Sequence, residues 1–152
     1  MTNITLNSEA MTKVFKYVFN PGSYSDKISF ALLLLRLTVG IFMLTHGDGK
    51  LMMLFGEGPI KFSDPLGVGT EASLSLAVFA EVLCSVFLIF GVATRFSAIP
   101  LLITMLVAAL IVHAPDAFGR KELPLLYSAI YLVIALLGAG KYSVDYLIQK
   151  KI

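Results

Sequence analysis

Two charged residues, Arg36 and Glu81, lie inside long apolar stretches, and they constrain the fold more than any other feature. Arg36 interrupts the run Ile28–His46, and Glu81 interrupts the run Ala72–Gly91. Each run approaches the roughly 20 residues that a helix needs to cross a bilayer core of about 30 Å. A lone charge at that depth costs about 2.5–3.5 kcal/mol even on lenient scales. Such residues therefore indicate either a functional site or a structural pair.

The composition supports a membrane protein. Of 152 residues, 57% are hydrophobic and 14% are charged, whereas a soluble domain carries about 25% charged residues. The net charge of +2 gives no reason to expect a nucleic-acid partner. Cys84 is the single cysteine, so neither an intrachain disulfide nor a C-x-x-C redox pair can form. The first apolar run begins late and contains an arginine, which argues against a cleavable signal peptide.

Four apolar runs predict four transmembrane helices, because Phe96–Ala114 and Leu123–Ala139 follow the first two. The connections near Gly91 and Pro115 are short, so successive helices are expected to run antiparallel. The predicted fold class is all-α, an integral membrane antiparallel four-helix bundle with an amphipathic N-terminal segment at the membrane surface.

Two further segments flank the first run. Met11, Val14, Phe15 and Val18 recur at helical spacing and predict an interfacial helix, the alternative being a frayed tail. After the run, the apolar stretch Leu51–Phe55 either continues the first helix or lies at the membrane surface. The predicted organisation is an amphipathic segment at 1–27, a four-helix domain at 28–147 and a basic tail at 148–152.

Three polar side chains are predicted to meet inside the bundle. Counting 1.5 Å per residue from the predicted outer helix ends places Arg36, Glu81 and Tyr131 about 15, 13 and 12 Å deep. We therefore expect Arg36 and Glu81 to form a direct or water-bridged pair, with Tyr131 in reach and Tyr127 on the same helix face. Such a network could be structural, could bind a quinone ring oxygen, or could relay protons, and the sequence leaves all three open.

His46 and His113 end the first and third runs, so both are expected at the outer face, near each other. Two imidazoles on separate helices could ligate a metal or haem. The sequence fixes no third ligand and contains no short metal-spacing motif. Hydrogen bonding at the helix ends is therefore the favoured role, and no metal site is predicted.

Four groups of residues, spread from about Ile28 to Leu147, carry a family resemblance. They are Arg36-Leu37, Gly40, His46-Gly47 and Lys50-Leu51; Ala80-Glu81, Gly91 and Thr94-Arg95; Met105, Ala108, His113 and Pro115; and Glu122, Leu125, Leu126 and Tyr127 with Gly138–Asp145. The last stretch is similar to a G-x-G-[RK]-Y-S-[LV]-D signature. Together these groups resemble the DoxX family of small bacterial membrane proteins.

The resemblance implies four helices in the bacterial inner membrane with both termini in the cytoplasm. Some relatives are named as small subunits of quinone-linked sulfur oxidation or terminal oxidases, and others as assembly factors or partners in redox and stress assemblies. The candidate ligand-binding residues are Arg36, Glu81, Tyr127, Tyr131, His46, Lys50 and His113. The candidate structural residues are Arg95, Tyr142 and Asp145, with Asp145 expected to accept a hydrogen bond from a backbone amide or from Arg95.

Two functions follow as expectations. The first is a redox-associated inner-membrane subunit with a polar intramembrane site for a quinone-like headgroup or a small polar ligand. The second is a non-enzymatic scaffold or assembly partner in which the same residues hold the helices together. The expected partners are the bilayer and either other membrane redox subunits or a second copy of the chain. The sequence does not decide whether the protein is an enzyme.

Both termini are predicted to be cytoplasmic, since lysine and arginine are more frequent on that side of the spans. Seven lie there (Lys13, Lys16, Lys27, Arg95, Lys141, Lys150, Lys151) and four on the other side (Lys50, Lys61, Arg120, Lys121). Single cysteines at positions 8 and 63 in a Cys84→Ala background test the prediction with a membrane-impermeant thiol reagent. Labelling of position 8 from outside intact cells would contradict it.

Overall fold

The computed structural model describes residues 11–151, which form helices and loops without a β-strand. Ten of the residues in the predicted amphipathic segment, 1–10, and Ile152 lie outside the described part. The described helices are α1 (11–18), α2 (Asp26–Phe55), α3 (Thr70–Phe90), α4 (Thr94–Val112), α5 (Phe118–Leu137) and α6 (Val144–Gln149). The predicted boundary of the basic tail at 148 thus falls inside α6.

Among the described residues, α2, α3 and α4 are long and apolar enough to cross a membrane. Large apolar side chains such as Phe42, Leu76 and Ile103 remain exposed on their outer faces. Small side chains of α3, including Ala80 and Ser85, are buried where the helices meet, as expected when close backbone approach drives helix packing in lipid. The chain is therefore an all-helical membrane protein. The fourth long helix, α5, packs against α4 and α2.

Helix α2 is longer than the sequence predicted. It contains 30 residues, which corresponds to about 45 Å, and it continues past His46 to Phe55. Of the two alternatives for Leu51–Phe55, continuation of the first helix is therefore correct. The predicted depth of Arg36 was counted from His46, so the longer helix changes that depth.

Arg36 and Glu81 lie at different levels of the bundle, and their predicted pairing is wrong. Arg36 Nη1 donates to the Leu88 carbonyl at 2.9 Å, whereas Glu81 lies beside Gly47, eleven residues further along α2. That separation is about 16 Å along the helix. A Cβ on Gly47 would come within 2.7 Å of a Val82 methyl group, so glycine is needed for this close approach.

The two levels define two ends of the bundle. At the tail end, α2 begins, α3 ends and α6 lies alongside them. At the loop end, the connections 56–69 and 113–117 join the helices. Arg36 belongs to the tail end and Glu81 to the loop end.

Arg36 is fully buried, and its terminal nitrogens donate hydrogen bonds to backbone carbonyls. Nη1 donates to Leu88 and Ile89, and Nη2 donates to Tyr142 at 2.7 Å. The first two carbonyls belong to the last turn of α3, where the helix dipole places partial negative charge. Gly91 closes that helix with φ +70°, and a side chain there would overlap the guanidinium. We call Arg36, Gly91, Ala93, Tyr142 and Asp145 the tail clamp.

Asp145 holds the tight turn between α3 and α4. Its carboxylate accepts hydrogen bonds from the amides of Ala93 at 2.6 Å and Thr94 at 2.9 Å, and its own amide donates to Gly91. Ala93 has a left-handed φ of +44°, a conformation that costs a residue with a side chain about 1–2 kcal/mol. The carboxylate stabilises this turn, so backbone amides, rather than Arg95, are the partners of Asp145.

Arg95 closes the end of α5 instead. Its guanidinium donates to the carbonyls of Ala135, Leu136 and Leu137, and Nε donates to Asn20 at 3.1 Å. These carbonyls have no partner within their own helix. Arg95 also lies 5.7 Å from the ring centroid of Tyr17, which connects α1 to the bundle.

Replacing Asp145 should destabilise the fold more than replacing an exposed aspartate. Asp145→Asn leaves one of two buried amides facing a side-chain NH2 group, at a cost of about 1–3 kcal/mol. Asp26→Asn is the matched control, since Asp26 pairs with Lys141 at the surface and should change little. Thermal unfolding in detergent measures both. Equal melting temperatures for Asp145→Asn and the unsubstituted protein would contradict the clamp.

Candidate functional site

Glu81 lies in a local distortion of α3. Residues Phe79–Cys84 form a π-helical segment, and Glu81 is buried within it. Such segments interrupt the regular hydrogen bonds of an α-helix and occur frequently at functional sites. Burial of a carboxylate in so apolar a helix favours a partner of opposite charge.

Lys50 provides that partner from the facing helix. Its ammonium group donates to both carboxylate oxygens of Glu81. The two side chains differ in exposure, with 29% of Lys50 and 2% of Glu81 accessible. The Lys50 ammonium also lies 6.0 Å from the ring centroid of Phe62, in the connection that covers the loop end. Lys50 can reach water when unpaired, whereas Glu81 cannot.

A cavity of about 410 Å³ opens beside this pair, and we call it the polar cavity. Its volume falls within the range of about 300–1,000 Å³ typical of small-molecule sites. Charged, imidazole and phenol side chains are concentrated in its lining, and they are His46, Lys50, Glu81, His113, Arg120 and Tyr127. The confirmed prediction here is that His46 and His113 lie near each other, since both line this cavity.

His113 is oriented by a neighbouring carboxylate. Its Nδ1 lies 2.7 Å from Asp116 Oδ2, and an ionised carboxylate can only accept, so Nδ1 carries the proton. This hydrogen bond, with added attraction from Arg120, lowers the pKa of the Asp116 carboxyl, which stays ionised at neutral pH. Nε2 of His113 is then available to a ligand. Within residues 11–151, no three His, Cys, Asp or Glu side chains converge closely enough to hold a metal ion.

An aromatic row leads from the polar cavity into the core. The His46 ring meets Tyr127 edge-on with centroids 6.3 Å apart, and Tyr127 stacks on Tyr131 at 5.9 Å. Tyr131 is fully buried, and its hydroxyl has no hydrogen-bond partner among the described residues. A buried hydroxyl without a partner costs about 1–3 kcal/mol, so this group is a candidate for contact with a bound water or ligand.

A second cavity of about 480 Å³ lies on the other side of the ion pair, between α3, α4 and the loop; we call it the apolar cavity. Its walls carry Leu76, Phe79, Pro100, Ile103, Val107 and Val112. It shares Lys50, Glu81, Ala108 and His113 with the polar cavity. The ion pair therefore stands where the two cavities adjoin.

The structure brings together five of the seven candidate ligand-binding residues. They are His46, Lys50, Glu81, His113 and Tyr127, which line one cavity. Tyr131 lies behind it, stacked on Tyr127. Arg36 lies apart, in the tail clamp.

Sequence reasoning missed two features of this site. Lys50 was not recognised as the partner of Glu81, although it follows His46 by four residues on the extended α2 and so shares its face. Arg120 enters the sequence analysis only as one of four basic residues on the outer side, and nothing local in the sequence places it at a cavity wall.

Comparison with known proteins adds relatives but no solved structure. The family model named DoxX matches residues 31–114. One uncharacterized protein of Haemophilus influenzae is 36% identical over 63% of this chain and 67% of its own length, and another is 32% identical over 80% and 93%. An uncharacterized membrane protein of Mycobacterium tuberculosis is 27% identical over 80% and 83%. No solved structure matches the chain significantly.

Removing Lys50 should destabilise the protein more than removing Glu81. Lys50→Ala leaves a buried carboxylate without a partner, a loss of up to about 3–5 kcal/mol, whereas after Glu81→Ala the ammonium can turn to water. The double variant Lys50→Met/Glu81→Leu should recover most of the loss, because it leaves no buried charge. Melting temperatures of the three variants in one detergent decide the order. A larger loss for Glu81→Ala would overturn this account of the pair.

Proposed function

The chain belongs to the DoxX family, and we propose that it is a redox-associated subunit of the bacterial inner membrane that binds a quinone-like headgroup in the polar cavity. One observation carries the proposal: a buried ion pair stands between a cavity lined with hydrogen-bonding groups and a cavity lined with apolar ones. A quinone has the same division between an oxygen-bearing ring and an apolar chain.

The residues present fit such a headgroup. Its carbonyl oxygens accept hydrogen bonds, and Lys50, Arg120 and Tyr127 offer donors along the cavity wall. Tyr127, whose ring is held by stacking on Tyr131, offers an aromatic ring in the lining, and aromatic rings favour offset stacking. Both methionines of the lining, Met43 and Met105, supply adaptable apolar contacts.

Each side chain has a distinct task in this proposal. Lys50 donates to a ring oxygen, and Glu81 holds the ammonium in position while it does so. His113, with Nδ1 fixed by Asp116, offers Nε2 for exchanging a proton with the headgroup or with water at the loop end. The quinone, when bound, supplies reversible two-electron, two-proton chemistry. Electrons come from a partner subunit in this proposal, since Cys84 is the chain's single cysteine.

The proposed topology follows the same division. The four long helices form an antiparallel transmembrane bundle, with the tail end in the cytoplasm and the polar cavity toward the outer face. Basic residues at the tail end support this orientation. The partner is another membrane redox subunit or a second copy of the chain.

A scaffold or assembly role is the alternative, and the tail clamp favours it. Arg36 directs its terminal nitrogens to backbone carbonyls of α3 and of the segment before α6. That residue therefore acts as structural glue, whatever the polar cavity does.

Quinone binding tests the proposed function. Saturating decylubiquinone should raise the melting temperature of the purified protein, since a ligand at 100 times its Kd stabilises the folded state by about 2.7 kcal/mol. The double variant Lys50→Met/Glu81→Leu, which removes the donor without leaving a buried charge, should abolish the shift. Lys141→Met, at the surface of the tail end, is the control and should retain it. An unshifted melting temperature in the unsubstituted protein would reject the quinone site and favour the scaffold.

A further inference from the structure

We propose that the apolar cavity holds the alkyl or isoprenoid chain of the same ligand, so that the protein takes such a quinone directly from the bilayer. We call this cavity the tail subsite, after the tail of the quinone; it is separate from the tail end and the tail clamp of the protein. This inference rests on the proposed function, because it concerns the chain attached to the headgroup. It adds the route of entry and the place of the alkyl chain.

The two cavities adjoin in the order that such a ligand requires. Lys50, Glu81, Ala108 and His113 belong to both linings. A headgroup that meets Lys50 from the polar cavity therefore has its chain directed past Ala108. Ala108 is small and begins the π-helical end of α4, residues Ala108–Val112. It leaves space at the junction that a larger side chain would fill.

The apolar cavity opens sideways rather than toward water. Side chains at its rim are exposed on the outer faces of α3 and α4, with Leu76 53%, Phe79 43% and Ile103 54% accessible. These faces meet acyl chains when the helices span a bilayer. At the loop end, Phe62, Pro65 and Leu66 form the wall and cover the cavity. The open side is therefore the one that faces lipid.

Irregular backbone lies on both walls of this space, in α3 and in α4. The π-helical segment Phe79–Cys84 lies on one wall, and Pro100 with Ala108–Val112 lies on the other. Proline removes a helix hydrogen bond and pushes the preceding turn away. Two distorted helices at one cavity, each in a span where regular bonds are favoured, indicate a space kept for an occupant.

The side chains of the lining also indicate which kind of chemical group the apolar cavity can hold. Three hydroxyl side chains belong to the lining, those of Ser63, Ser73 and Thr104, and Ser73 donates its hydroxyl hydrogen to Asp64 at 2.6 Å. The ionisable side chains of the lining, Lys50, Glu81 and His113, are confined to the junction with the polar cavity. A chain of carbon and hydrogen matches these mostly apolar walls, whereas a second charged group away from the junction would lose its hydration without a counter-charge.

Filling the apolar cavity tests the tail subsite without touching the headgroup site. Val107→Phe and Thr104→Phe each place a ring in it, and Leu106→Phe on the same helix, outside both linings, is the matched control. Binding of decylubiquinone and of the tail-less 2,3-dimethoxy-5-methyl-1,4-benzoquinone is measured for each purified protein in nanodiscs. Partition of a quinone into lipid is the same for all variants. The ratio of each variant's apparent Kd to that of the unsubstituted protein therefore reports the change in affinity at the site.

We expect both cavity-filling variants to weaken decylubiquinone binding by about tenfold or more, because each buried methylene is worth about fourfold in affinity. Tail-less quinone should change by less than about twofold, within the spread of surface substitutions, and Leu106→Phe should change neither. Equal weakening of both quinones, or of neither, would overturn the tail subsite alone. Failure of the unsubstituted protein to bind either quinone would overturn the proposed function as well.

Discussion

A charge in a nonpolar medium needs hydrogen-bond or ion-pair partners from the protein itself. The architecture depends on how the chain supplies such partners to two buried charges, Arg36 and Glu81. The terminal nitrogens of Arg36 donate to carbonyl oxygens that two segments, the last turn of α3 and the residues before α6, bring to the tail end. Glu81 is satisfied by a single flexible side chain, Lys50, at the loop end. The first solution is rigid and uses backbone; the second can be rearranged by moving one ammonium group. Stability and adaptability are thereby assigned to opposite ends of one bundle.

Much of the helical plan was predictable from hydropathy, and the pairing of charges was not. Long apolar runs around Arg36 and Glu81 indicated membrane helices, and the placement of His46 with His113 followed from where those runs end. The predicted Arg36–Glu81 pair is wrong because the prediction ends the first helix at His46, whereas residues Gly47–Lys50 are helical in the structure. Four polar or glycine residues interrupt hydropathy there without interrupting backbone hydrogen bonds. Hydropathy reports the lipid boundary, whereas helix length depends on local hydrogen bonding.

The candidate site combines features that weaken a fold when taken separately. A π-helical segment, a buried hydroxyl at Tyr131 without a partner and a carboxylate inside an apolar helix each lower stability. Local strain of this kind persists only where surrounding structure holds it. The regular packing of α4 against α5 and the clamp at the tail end provide that support. The sequence revealed the charge but gave no sign of the distortion, because π-helical residues have no distinctive composition.

The tail clamp joins residues that a ribosome produces far apart in time. Arg36 can form its hydrogen bond to the Tyr142 carbonyl only after 106 further residues have been synthesised. The left-handed Ala93 likewise forms its hydrogen bond only once Asp145 has been added. At synthesis rates of about 5–20 residues per second, an inserted arginine spends at least several seconds with one of its final acceptors still unmade. During that interval the Arg36 guanidinium depends on the insertion machinery or on lipid headgroups for its missing hydrogen-bond acceptor. Synthesis of Tyr142–Asp145 therefore completes the tail clamp, and a chain truncated before Tyr142 would lack an acceptor of Arg36 and the carboxylate that holds Ala93.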